Sequence, residues 1–269
     1  MKKNFFPLIA TLAGLGVMAF GIISGAKGDM TKFVMFIDIP SFVIVILGSL
    51  VGTAIIYPLS DLKKLPKLWG VMLSEPAVKL EELPSLFESI SQQARKDGIL
   101  SLEAKLEEIE DDFIRRGIQM VVDGAEAEEL RQVLETEVGA LEFRHGQNQA
   151  MIGKWAELAP AFGMIGTVLG LILMLGDLGG DASELGSGMA VALITTLYGS
   201  AFQNLIFAPL GENLKVKTAK EVFVREVMIE GIIMIQNGTN PRSVYDKLAT
   251  YLSPTERAAL SESGGKDAE

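Results

Sequence analysis

The chain has 269 residues, 34 acidic against 24 basic side chains for a net charge of −10, and 49% hydrophobic residues beside 22% charged ones. So acidic a chain, with no basic stripe, excludes nucleic-acid binding; the absence of cysteine excludes disulfides and thiolate chemistry, and a single histidine removes most zinc sites. A mean hydropathy of +0.33 beside that charge requires apolar spans alternating with strongly charged soluble parts.

The first apolar stretch, Pro7 to Ser24, follows Lys2 and Lys3. It reads as an uncleaved first span, with a signal peptide cut near Ser24, Gly25 and Ala26 as the alternative. A loop from Gly25 to Lys32 leads to a second span from about Val34 to Leu59, with Asp38 and Pro40 near its outer end. Asp38 reads first as a helix N-cap at the membrane surface and second as an ion-path carboxylate.

From residue 60 to 154 the pattern is that of a small helical domain. Pro66, Pro76 and Pro84 punctuate its first third, and Gly98 separates a helix over Leu83 to Asp97 from one over Leu100 to Arg116. In the latter, Leu102, Leu106, Ile109 and Phe113 recur at helical spacing, leaving Glu103, Glu107, Glu110 and Asp111 outward. Arg95 and Lys96 close one helix and Glu103 opens the next, which is where such charges offset helix dipoles. A third helix, acidic on one face, spans about Ala127 to Phe143.

An apolar run from Ala159 to Gly176 forms the third span. Ala159, Gly163, Gly166, Thr167 and Gly170 lie along one stripe of it, nearly bare of side chains. The fourth span, Gly188 to Leu210, carries Ala192, Thr196, Gly199 and Gln203 as its own stripe, flanked by Thr195, Ser200 and Asn204. Small-residue stripes and Ser or Thr hydroxyls serve plain helix packing as readily as function. Two polar stripes on consecutive spans read together as a narrow polar seam, the mark of an ion or substrate path. Neither Ala159–Gly176 nor Met189–Leu210 contains Asp, Glu, His, Lys or Arg. A charged group acting along the seam must therefore come from another chain or from the first two spans.

Lys2, Lys3, Lys63, Lys64, Lys67, Lys215 and Lys217 flank the spans on one side, and no basic residue occurs between Asp177 and Gly188. By the positive-inside rule both termini are cytoplasmic. Trp69 and Trp155 suit the inner interface. In the tail, Asn240 caps a helix with Pro241 at its first position, Ser253 and Glu256 form a capping box, and the chain after Leu260 reads as disordered. The expected fold is all-α and membrane-integral: spans one and two in 1–59, a cytoplasmic helical domain in 60–154, spans three and four in 155–210, and cytoplasmic helices with an acidic tail in 211–269. No nucleophile with a base, metal cluster or phosphate loop speaks for an enzyme, and four spans without an inverted repeat speak against a secondary transporter.

A-R-K-D-G-I-L-S-L-E at 94–103, V-V-D-G at 121–124, E-F-R-H at 142–145, A-P-A-F-G-M-I-G-T-V-L-G at 159–170, M-A-V-A-L-I-T-T-L-Y-G-S at 189–200 and E-G-I-I-M-I-Q-N-G-T-N-P-R at 230–242 together resemble the A subunit of the bacterial flagellar motor stator. The resemblance implies five copies in the cytoplasmic membrane around a dimer of a single-span B subunit. That B subunit carries a peptidoglycan-binding domain and supplies an essential membrane aspartate. It also implies no cofactor, conformational prolines at Pro160 and Pro209, and contact with the rotor switch protein through Arg95, Lys96 and Glu103. Along the ion path it points to Thr167, Thr195 and Thr196 beside Gly163. Family members described as sodium-driven carry threonine at the position of Thr167 and share the Thr195–Thr196 pair, so sodium is the expected ion and the proton the alternative. A rival within the fold is the proton-driven energy-transducing subunit of the ExbB/TolQ type, which has three spans.

Overall fold

A computed structural model describes residues 4–27, 29–74, 78–176 and 182–264. Among these residues every regular element is a helix. Four helices are long and apolar enough to cross a membrane: Phe6–Gly25, Ile39–Ile56, and the apolar parts of Ala127–Gly176 and Leu185–Gln236. The second starts later than the sequence suggests, because two aspartates punctuate the approach. Asp29 accepts from Thr31 N to cap a separate helix, Met30–Val34, and Asp38 accepts from Ser41 N at 2.8 Å to start the span at Ile39.

The third and fourth spans do not stop where their apolar runs stop. Ala127–Gly176 is one helix of 50 residues with Pro160 inside it, so the expected separate helix over 127–143 is its first third. Ala182–Phe202, a π turn over Gln203–Phe207 and Ala208–Gln236 likewise run end to end. Pro209 explains the π turn: it cannot donate to the Leu205 carbonyl and its ring crowds that group, and a widened turn makes room. The acidic loop at 177–181 lies outside the described residues.

Packing divides the chain into two compact units, Lys2–Glu75 with His145–Val216, and Pro76–Arg144 with Lys217–Glu269. In the first, Leu65, Leu68 and Met72 pack with Met151, Ile152, Leu210 and Leu214, so residues just outside the apolar runs belong with the spans. Span two meets span three where Gly48 and Gly52 receive the Phe162 ring and Trp155 Nε1 donates to Ser49 Oγ at 3.0 Å. Trp155 also stacks on Phe207 with centroids 4.2 Å apart. The Tyr198 hydroxyl pins span two to span four by accepting from Asp38 N and donating to Phe36 O. The first span has no buried residue, and a Cβ on its Gly14 would lie 3.4 Å from the Leu205 side chain of span four.

The second unit has a continuous apolar core that includes Leu83, Phe87, Ile90, Ile114, Ile118, Leu130, Leu134 and Ile232. The helix Leu83–Asp97 forms as the sequence indicates. A Cβ on Gly231 would lie 2.7 Å from the Phe87 ring, which is why the two helices can approach so closely there. The expected helix over Leu100–Arg116 is broken. A 3-10 turn Ile99–Ser101, a single turn Leu102–Lys105 and another 3-10 turn Leu106–Glu108 precede an extended Ile109. Asp111 then caps a new helix, Asp112–Val122, by accepting from the N–H groups of Phe113 and Ile114. The inward set was nonetheless legible, since Leu102, Leu106, Ile109 and Phe113 are all buried. Arg115 holds the irregular segment by donating to the carbonyls of Leu106 and Ile109. In the tail Asn240 accepts from Arg242 N. Ser253 and Glu256 close their capping box, and the Ser253 hydrogen bonds hold the Glu256 carboxyl below its usual pKa. The last helix continues to Gly264, beyond the expected onset of disorder.

Candidate functional site

Spans three and four cross at close range, with only small side chains such as Thr195 between them. A Cβ on Gly163 would lie 2.8 Å from Thr195 O, one on Gly170 2.6 Å from Ala192 N and Gly188 O, and one on Gly199 2.9 Å from Ala159 O. Gly163 and Gly170 thus meet the facing backbone directly, while Gly166 between them receives the Thr195 side chain. Gly163 sits inside this crossing, and Thr195 is fully buried with its hydroxyl donating back toward Val191 O and Ala192 O. Both residues shape the seam without facing its open side.

On the rim of the crossing stands a pair of hydroxyls. Thr167 Oγ1 and Thr196 Oγ1 are 2.5 Å apart, and both also lie within hydrogen-bond distance of Ala192 O, at 3.1 and 3.2 Å. Thr167 Oγ1 is further 3.1 Å from Gly163 O. Thr167 is half-buried and Thr196 exposed, so the cluster opens away from the crossing. Ser200 and Asn204, which are exposed too, extend the polar line of Thr196 one and two helical turns along. That line was available from the spacing of four between polar residues; the Ala192 carbonyl carried no signal in the sequence. Among the described residues no cluster of His, Asp or Glu could hold a metal ion. The oxygens gathered here are hydroxyl and carbonyl, the hard neutral ligands that suit an alkali cation shedding its water.

Asp38 has one carboxylate oxygen engaged as the N-cap of span two, and its backbone N–H donates to the Tyr198 hydroxyl of span four. Pro160 lies within the third helix beside the Gly199 contact, and Pro209 is exposed just after the π turn of the fourth.

In the second unit Arg95, Lys96 and Glu103 are exposed and, among the described residues, make no ion pair or side-chain hydrogen bond. They flank the turn at Gly98, whose φ of 87° is a conformation few other residues adopt. Charges so placed satisfy the helix ends and remain free for a partner.

Residues 105–227 match the MotA/TolQ/ExbB proton channel family. The chain is 38% identical over 257 residues to motility protein A of Borreliella burgdorferi, covering 96% of this chain and 98% of that one. It is 40% identical, over 95% of its length and 93% of the relative's, to the uncharacterized protein YtxD of Bacillus subtilis. The solved flagellar MotAB stator complex from Bacillus subtilis contains a chain that superposes with a TM-score of 0.86 at 33% identity, covering 94% of this chain and 98% of that chain. The chain therefore belongs to the MotA/TolQ/ExbB family, a family of membrane channel components and not of enzymes.

Proposed function

From this membership we propose that the chain is the A subunit of a flagellar stator, a multi-pass protein of the cytoplasmic membrane that turns cation flow into torque. Its four candidate spans fit that reading better than the three of the ExbB/TolQ-type subunit. Five copies would ring a dimer of a single-span B subunit, with both termini cytoplasmic and lipid around the first span, which buries nothing within its own chain.

The observation that carries the ion-path reading is the Thr167–Thr196 pair, two hydroxyls 2.5 Å apart on the open rim of spans that contain no Asp, Glu, His, Lys or Arg. Polar groups facing outward within a membrane call for a partner. A B-subunit carboxylate next to them would supply the missing charge, and the two hydroxyls with Ala192 O would replace part of sodium's water shell. A proton needs no such ligands, which favours sodium. Pro160 and Pro209 would let the inner ends of these helices bend as the carboxylate changes its charge state. Arg95, Lys96 and Glu103 would transmit the movement to the rotor switch protein.

Co-expression with a single-span B subunit, in a strain lacking its own stator, tests the proposal. Restored swimming supports it. A paired complex that assembles in the membrane yet never restores swimming, under any ion gradient, would overturn it.

A further inference from the structure

Leu100 is the most exposed large apolar side chain among the described residues of the second unit, at 74%. One exposed leucine says little by itself. This one is held out by its turn: Gly98 reverses the chain with a positive φ, Ser101 returns both its N–H and its hydroxyl to Gly98 O, Gln93 Nε2 donates to Ser101 O, and Leu102 is anchored fully buried in the core. With Gly98, Ser101 and Leu102 fixed in this way, Leu100 is held facing outward. Ile99 beside it is 36% exposed, so the tip carries a small apolar knob. On one flank stand Arg95 and Lys96, on the other Glu103, all exposed and without ion pairs among the described residues.

An apolar centre ringed by free charges of opposite sign on its two flanks has the layout of a protein contact, where the dry centre carries affinity and the charged rim sets orientation. We propose that Leu100 is the apolar anchor of the rotor contact. It would seat in an apolar cleft of a partner surface that carries carboxylates on the side facing Arg95 and Lys96 and a basic group on the side facing Glu103. The proposal rests on the rotor-contact reading of those charges and adds what they leave out, namely that the contact is not purely electrostatic. An anchored contact persists at high ionic strength, whereas exposed charge pairs alone are screened.

The test uses the full stator in swimming cells, with a fluorescent A subunit, and compares Leu100→Ser, Leu100→Met and Arg95→Glu. Leu100→Ser is expected to shorten the dwell time of stators at the motor roughly tenfold, as loss of a central contact residue does, and Leu100→Met to restore it. The number of assembled complexes in the membrane stays at the wild-type level in all three. Wild-type dwell in Leu100→Ser with a defect in Arg95→Glu would overturn the anchor and leave the charge contact standing. Wild-type dwell in both would remove the rotor contact itself. Fewer assembled complexes in Leu100→Ser, or a Leu100→Met variant as poor as the serine one, would also overturn the anchor.

Discussion

Gly170 and Gly188 face each other across the crossing of spans three and four: a Cβ on the first would lie 2.6 Å from the carbonyl oxygen of the second, and one on the second 2.8 Å from the carbonyl oxygen of the first. Neither helix can carry a side chain there without moving. Gly170→Val should therefore separate the helices at an overpacking cost of about 1–3 kcal/mol and pull Thr167 away from Thr196. The yield of detergent-extracted complex and its melting temperature check this. Wild-type values for both would mean that the crossing is looser than described.

The two prolines should separate stability from motion. Pro160→Leu and Pro209→Leu each return a backbone N–H to a helix that now lacks one, and interior proline costs a helix about 3 kcal/mol. Both variants are expected to assemble at least as well as wild type and to rotate poorly or not at all. Full motility in Pro160→Leu would show that no bend at that position is needed.

Asp38 offers a clean discrimination between a cap and an ion ligand. Asparagine caps a helix about as well as aspartate but carries no charge. Asp38→Asn is expected to keep both stability and torque, while Asp38→Ala loses about 1 kcal/mol of stability. Loss of torque in Asp38→Asn at normal protein level would return the carboxylate to the ion path.

Reversing charge at the Gly98 corner, Arg95→Glu or Glu103→Lys, should impair torque while changing stability by no more than about 0.5 kcal/mol, because the groups are exposed and make no ion pair among the described residues. Tethered-cell rotation measured beside the amount of membrane complex decides it. Normal rotation by both single variants would remove their contact role.

Much of the fold was legible because burial follows spacing. The period of Leu102, Leu106, Ile109 and Phe113 marks them as inward, although the helix expected to carry them is interrupted. The period survives a local break; the Asp111 cap and the Arg115 bonds that make the break depend on contacts a pattern does not encode. Helix ends were the weakest part. A run of apolar residues marks a membrane's thickness, and nothing in Ala127–Gly176 or Ala182–Gln236 forces the helix to end where the membrane does. At the candidate site the stripe of Gly163, Gly166 and Gly170 was visible as small residues at helical spacing. Which of packing and passage it served depends on the neighbour it meets, and Thr195 and Gly163 turn out to be enclosed while Thr167 and Thr196 are open.

The role proposed for Thr167 and Thr196 is to hold the moving ion. It is tested most directly by tethered-cell speed against sodium concentration at fixed pH, with the cognate B subunit present, in wild type and Thr167→Ala. That substitution removes an oxygen without adding bulk. Wild-type speed is expected to rise with sodium and saturate, and Thr167→Ala to shift the half-maximal concentration upward by roughly tenfold, the effect of losing about 1.4 kcal/mol of ion binding. Wild-type speed independent of sodium, or a Thr167→Ala curve that overlays the wild-type one, would contradict it.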